Sequence, residues 1–296
     1  MERIDLPGGG VSLSRIVYGM WRLGDDADTS PALVQRKIEA CLAQGITTMD
    51  HADIYGGGTG QTLLGAALRA APDLRQRIEL VTKCGIVPPG RNGAQVKHYD
   101  TSPAYIRASL EQSLRDLAVE QVDLLLIHRP DPMMDADATG AVLDQLVAEG
   151  KTRAVGVSNF RPWDMSLLQS RMEQPLSANQ IELSLLAHEP FENGDLAFLM
   201  ERRIPVMAWS PLGGGSLFAS VRPELTAMLK DLAEREGVDM GAVALAWLLA
   251  HPARIMPVVG TNNLDRIAQA HQALAVRMDR QDWFALYQAA LGRDVP

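Results

Sequence analysis

Short apolar runs alternate along the chain with longer amphipathic stretches. The apolar runs predict strands over residues 15–20, 45–49, 77–83, 122–128, 152–158, 177–182, 204–209 and 254–260. Two are apolar without a break, Leu124-Leu125-Leu126-Ile127 and Val155-Gly156-Val157. Strands covered on both faces read this way, as in parallel sheets. The stretches between carry apolar residues at helical spacing, as at Ile106, Leu110, Leu114 and Leu117. They predict helices over 31–44, 60–71, 101–117, 139–150, 161–171, 192–203, 223–236, 241–251, 264–275 and 280–291. Ser30-Pro31 and Ser102-Pro103 mark two helix starts, a capping hydroxyl followed by proline in the first turn.

Eight strands each followed by helix, with no Ser- or Pro-rich linker, predict an α/β fold: a (β/α)₈ TIM barrel spanning 1–296 as one domain. The rival architecture is a doubly wound sheet. That fold usually carries Gly-x-Gly-x-x-Gly after its first strand, and Tyr18-Gly19-Met20-Trp21 lacks it. A hairpin over 4–13, an extra helix before the last strand and a C-terminal helix complete the prediction.

Composition narrows the function. Hydrophobic residues make up 47% of 296, enough for a large core. A net charge of −8 argues against nucleic acid or an anionic membrane as partner. The longest apolar stretch, 240–250, is too short to span a bilayer, and the first ten residues do not read as a signal peptide. Two cysteines, Cys41 and Cys84, build neither a disulfide framework nor a zinc cluster. The expectation is a cytoplasmic enzyme or binding protein acting on a small molecule.

In a barrel, reactive groups stand at the C-terminal strand ends and in the loops that follow. Those positions here hold Asp50, Lys83, His128, Ser158, Asn159, Gln180, Ser210, Gly260 and Thr261, with Tyr55 in the loop after the second strand. Ionisable groups gathered at one mouth are costly unless they pair or do chemistry.

The segment Gly45-Ile46-Thr47-Thr48-Met49-Asp50-His51-Ala52-Asp53-Ile54-Tyr55-Gly56 resembles the second-strand motif of the aldo-keto reductase superfamily. Val81-Thr82-Lys83, Leu125-Leu126-Ile127-His128-Arg129-Pro130, Gly156-Val157-Ser158-Asn159-Phe160, Asn179-Gln180 and Trp209-Ser210-Pro211-Leu212-Gly213-Gly214 resemble its later landmarks, in the family's order. The His-Ala-Asp and His-Arg-Pro-Asp-Pro variants look most like bacterial members of uncharacterised substrate. Each motif alone is weak, and Asp50 with Lys83 alone would read as a barrel ion pair. The ordered set carries the resemblance.

The resemblance implies roles. Tyr55 is the general acid that protonates the carbonyl oxygen while NADPH, or NADH, delivers hydride to carbon. Lys83 lowers the tyrosine pKa, Asp50 holds the lysine charged, and His128 orients the carbonyl. Ser158, Asn159 and Gln180 match positions that bind the nicotinamide carboxamide, and Trp209 one that stacks on its ring. Ser210, Leu212, Gly213 and Gly214 form a small-residue loop for the pyrophosphate. Gly260, Thr261, Asn262 and Arg266 match the 2′-phosphate site, and Arg266 favours NADP. Two departures stand out: Gly260 replaces a frequent lysine, and Gln269 and Ala270 replace glutamate and asparagine at the adenine.

Met20, Trp21, Ile54 and Arg129 are expected to line a substrate pocket suited to a small aldehyde or ketone. Two other functions fit parts of the pattern. One is a cofactor-binding regulatory subunit with little turnover. The other is a metal-dependent barrel hydrolase or lyase using Asp50, His51, Asp53 and His128, although no metal-ligand cluster is apparent. A monomer is the family's common state.

Overall fold

Closure of the sheet decides the architecture. The structure is a computed structural model and describes residues 1–219 and 222–295. Its strands are β1 (Arg3–Asp5), β2 (Ser12–Ser14), β3 (Val17–Gly19), β4 (Thr48–Asp50), β5 (Glu79–Cys84), β6 (Ile86–Val87), β7 (His98–Tyr99), β8 (Val122–Ile127), β9 (Thr152–Ser158), β10 (Leu176–Glu182), β11 (Val206–Trp209) and β12 (Met256–Val259). β3, β4, β5 and β8 to β12 form a closed barrel with every neighbour parallel. β12 pairs with β3, so the barrel has no free edge and the doubly wound alternative is excluded.

The helices are α1 (Pro31–Leu42), α2 (Gly60–Ala70), α3 (Pro103–Leu117), α4 (Ala136–Ala148), α5 (Pro162–Gln169), α6 (Asp195–Glu201), α7 (Pro223–Glu236), α8 (Met240–Leu249), α9 (Leu264–Gln269) and α10 (Arg280–Leu291). Ser30 and Ser102 accept from the backbone N–H of Leu33 and Tyr105, capping α1 and α3 as their sequences predict. Among the described residues no helix is long and apolar enough to cross a membrane.

Alternation along the strands creates two cores. Val17, Val81, Leu124, Leu126, Met207 and Val258 fill the barrel, joined from below by Ile4 and Leu13 of the β1–β2 hairpin. Leu80, Leu125, Ile127 and Val155 face the helix layer. Gly156 lies where β9 and β10 approach closely. A Cβ there would stand 2.6 Å from the Ala178 carbonyl oxygen and 2.8 Å from Leu126 Cδ2. On the outer layer the indoles of Trp247 in α8 and Trp283 in α10 stack at 4.9 Å, and each donates to the other's carbonyl at 3.0 Å.

Several elements differ from the sequence pattern. The strand expected over 45–49 pairs only at Thr48–Asp50. Ser14 Oγ takes the N–H of Thr47 and of Thr48, so a side chain replaces the ladder there. The helix expected over 264–275 ends at Gln269 and continues as a 3₁₀ turn, Ala270–Leu274. Gln44 causes the break: its Oε1 takes the His271 N–H at 2.8 Å and its amide donates to the Ile267 carbonyl, replacing one α-helical bond. The antiparallel pair β6–β7 was not expected, because two-residue strands show no alternation.

Candidate active site

The period of two that fills the barrel also places polar groups one step above its apolar layer. Lys83 follows Val81 on the inner face of β5. His128 follows Leu124 and Leu126, one residue past β8. Asp50 ends β4. The next turn of chain, a 3₁₀ segment over Tyr55–Gly58, brings Tyr55 back across the mouth.

Lys83 organises the centre. It is fully buried, and its Nζ donates to Asp50 Oδ2 at 2.8 Å, to the His51 carbonyl at 2.8 Å and to Tyr55 Oη at 2.9 Å. All three ammonium protons are thereby used. Asp50 Oδ1 accepts from Gln180 Nε2 at 2.9 Å, so both carboxylate oxygens are held. The Tyr55 ring meets His128 edge-on, with centroids 6.0 Å apart.

Burial and charge set the protonation states. Burial raises the Tyr55 hydroxyl above its ordinary pKa, and this outweighs the lowering by Lys83. That corrects the sequence expectation of a tyrosine lowered by its lysine. Desolvation of a phenolate packed into the barrel mouth is the larger effect. Burial alone would lower Lys83, but Asp50 and Tyr55 together raise it and keep it charged. His128 is held well below its ordinary pKa by burial and then by Lys83, Arg129 and Lys97, so the imidazole is neutral. Its Nδ1 has no partner among the described residues.

The neighbouring His51 ring lies 5.9 Å from the Tyr55 ring, while Asp53 is taken up by other partners. His51 is fully buried, neither ring nitrogen has a described partner, and burial pushes its pKa down to about 3. Asp53 pairs with Arg91 at 3.0 Å and accepts from Ser109 at 2.8 Å, and burial raises it to about 6. Among the described residues no three His, Cys, Asp or Glu side chains gather as a metal-holding group.

Ser158, Asn159, Gln180 and Trp209 are wired together. Ser158 Oγ donates to the Gln180 carbonyl at 2.8 Å, Asn159 Nδ2 to Ser158 Oγ at 2.8 Å, and Trp209 Nε1 to Asn159 Oδ1 at 2.9 Å. Asn159 and Ser210 both adopt left-handed backbone conformations, φ 61° and 49°. Past Ser210 and Leu212 the loop turns through Gly213, Gly214 and Gly215, all at positive φ. A Cβ at Gly214 or Gly215 would meet nothing within 4 Å, so the chain there is an open backbone cradle.

The segment after β12 behaves differently from expectation. Thr261 offers its carbonyl to Tyr18 Oη at 2.9 Å. Asn262 spends its side chain within the protein, accepting from Lys37 Nζ at 2.9 Å and donating to the Arg22 carbonyl at 2.6 Å. The exposed Arg266 guanidinium has no hydrogen-bond or ion partner among the described residues, and Gln269 is exposed at the end of α9. An open glycine cradle and an exposed, uncommitted guanidinium fit a dinucleotide cofactor. Gly260 supplies backbone only.

Among the expected pocket residues, Trp21 is exposed, Ile54 is half-buried, and Arg129 lies 5.9 Å from the Trp209 ring centroid. Met20 is a correction. It is fully buried in the layer between barrel and helices, on the side of β3 shared with Ile16 and Tyr18. The sequence reading missed Glu182, Lys97 and Arg91. Glu182 follows Gln180 at the spacing of one strand face, a signal that was available. Glu182 is exposed, and partial desolvation raises its pKa against the pull of Arg129. Lys97 and Arg91 lie between β6 and β7, in a connection with no periodic pattern.

The chain belongs to the Aldo/keto reductase family, whose model matches residues 15–290. It is an NAD(P)H-dependent oxidoreductase. It is 64% identical, over the full length of both chains, to a 6-dehydroglucose reductase from Agrobacterium fabrum. It is 42% identical, again over both full lengths, to the oxidoreductase YdhF from Escherichia coli. Among solved structures it resembles the glycerol dehydrogenase of Gluconobacter oxydans, with TM-score 0.85 and 27% identity, covering 99% of this chain and 96% of that one.

Proposed function

We propose that this protein reduces a small neutral aldehyde to the alcohol with NADPH, and that its substrate is a sugar aldehyde of the 6-dehydroglucose kind. The observation that carries the reading is Tyr55 Oη held 2.9 Å from a fully buried lysine beside His128 at the barrel mouth. The substrate class is supported by the relative that shares 64% of its residues along the whole chain. NADPH is favoured over NADH by the uncommitted guanidinium of Arg266, which suits a phosphate.

NADPH, when bound, would supply the hydride that the carbonyl carbon needs. Tyr55 gives its proton to the carbonyl oxygen as negative charge develops there, so the product is a neutral alcohol. Its raised pKa keeps that proton in place at neutral pH. The Lys83 ammonium stabilises the tyrosinate left behind, and Asp50 holds Lys83 in line. Neutral His128 donates a hydrogen bond to the same oxygen. One such donor contributes on the order of 10²–10³ in rate. In this reading Ser158, Asn159 and Gln180 would hold the carboxamide, Trp209 would lie against the nicotinamide, and Ser210 to Gly214 would hold the pyrophosphate. Trp21, Ile54 and Arg129 border the substrate. The reading takes residues 1–296 as one domain acting as a cytoplasmic monomer.

The test follows NADPH oxidation with 6-dehydroglucose and with 4-nitrobenzaldehyde, for the wild type and Tyr55→Phe, alongside NADPH titration of both. Turnover by the wild type, with binding but no turnover by the variant, is the expected result. NADPH binding without turnover of either aldehyde by the wild type would overturn the reading in favour of a cofactor-sensing subunit.

A further inference from the structure

Lys37 lies on the buried face of α1 with Val34, Ile38 and Cys41, and its side chain is 1% exposed. A lysine among apolar residues needs its protons satisfied. Lys37 Nζ donates to Asp26 Oδ2 at 2.6 Å and to Asn262 Oδ1 at 2.9 Å. Asp26 belongs to the loop after β3, and Asn262 to the loop after β12. Since the ammonium can only donate, it fixes which way the Asn262 amide faces. Asn262 Nδ2 is thereby aimed at the Arg22 carbonyl, 2.6 Å away in the loop that also holds Asp26. Arg22 in turn reaches the Gly214 carbonyl at 3.4 Å. One buried ammonium therefore ties the loop after β3 to the loop after β12, and through Arg22 to the glycine cradle after β11.

We infer that Lys37 is a positioning residue for the cofactor. It does not contact NADPH. It sets the path of residues 260–263, the backbone that leads into α9 and Arg266. The inference rests on the NADPH reading above. Its consequence is specific: loss of the Lys37 ammonium disturbs the presentation of Arg266 to a 2′-phosphate, so NADPH suffers more than NADH. Lys37 hydrogen-bonds to Asp26 and Asn262 and to none of Asp50, Tyr55 or Lys83, so the proton-transfer groups keep their own partners.

The experiment titrates NADPH and NADH into the wild type, Lys37→Met and Asp26→Ala by protein fluorescence, with melting temperatures and steady-state kinetics in parallel. Asp26 is half-buried at the surface, so Asp26→Ala loosens the same knot without emptying the core. Lys37→Met should raise the NADPH Kd about tenfold or more, which corresponds to ~1.4 kcal/mol. The NADH Kd should rise clearly less, and kcat at saturating NADPH should fall less than about threefold. Asp26→Ala should shift the NADPH Kd in the same direction by a smaller factor, and it carries the test alone if Lys37→Met does not fold. An NADPH Kd unchanged in every folded variant would overturn the inference and leave the enzyme reading standing. Equal losses for NADPH and NADH would overturn it too, reducing Lys37 to a purely structural lysine. A wild type that binds no NADPH would overturn both.

Discussion

Gln180 Nε2 donates to Asp50 Oδ1 at 2.9 Å, joining strands on opposite sides of the barrel and separated by 130 residues. This contact matters because Asp50 is the anchor of Lys83, and Lys83 faces Tyr55. Replacing Gln180 by Leu should leave one Asp50 oxygen without its partner and let the carboxylate rotate away from Lys83. We expect kcat to fall more than tenfold, in addition to any loss of cofactor affinity. Single-turnover kinetics at saturating NADPH separates the two, and an unchanged rate of reduction would count against this role.

Tyr55→Phe removes one hydroxyl and leaves the ring that packs at His128. General acid catalysis contributes roughly 10²–10⁴ in rate. The variant should lose turnover by that order while its NADPH Kd stays within about twofold of the wild type. Residual turnover near the wild-type level would assign the proton to another group.

Lys83→Met removes one member of an ion pair whose side chains are 0% and 2% exposed. An unpartnered buried carboxylate costs on the order of 3–5 kcal/mol. Chemical denaturation should show that loss, and the double variant Asp50→Asn with Lys83→Met should recover part of it. If the double variant is as unstable as the single one, packing rather than charge is responsible.

Acid should destabilise the protein partly through His51. Its pKa is about 3 when folded and 6.5 ordinarily. Between those values the unfolded chain binds a proton that the folded chain refuses. The stabilisation is therefore complete above pH 6.5 and is lost as pH falls toward 3. His128, also lowered, acts in the same sense. Asp53, raised from 3.8 to about 6, acts oppositely: its folded form keeps an extra proton, so stability falls as pH rises through that window. Urea denaturation of His51→Asn at pH 5 and pH 6 should show a weaker acid loss than the wild type. The difference in slope should reach at most about 1.4 kcal/mol per pH unit, the value for one proton. Parallel curves for the two proteins would show that His51 does not titrate as argued.

Gly156→Ala would drive a Cβ to 2.6 Å from the Ala178 carbonyl oxygen. Overpacking of this kind costs about 1–3 kcal/mol. Because β10 carries both Ala178 and Gln180, the displaced strand should also lower kcat. A lower melting temperature with unchanged kcat would confine the effect to packing.

The sequence by itself determined the order of the eight barrel strands, their approximate places and which of their ends carry chemistry. Hydrophobic alternation is a local property, so it marks Leu124 and Leu126 as interior and puts His128 above them. The spacing from Asp50 to Tyr55 is likewise local, and a short turn suffices to bring the two around one lysine. Glu182 was legible in the same way, as the next residue on the face of Gln180.

Contacts between segments far apart in the chain have no such local signal. Only the tertiary structure pairs β12 with β3, aims Gln180 at Asp50, and brings Lys37 to Asn262 across 225 residues. The same holds for Gln44, whose amide breaks the helix after Gln269. Burial is also set by the assembled fold. That is why motif chemistry foresaw Lys83 beside Tyr55 but not the sign of the tyrosine's shift. The lysine stabilises the phenolate at short range, whereas desolvation sums over all the segments packed around the barrel mouth.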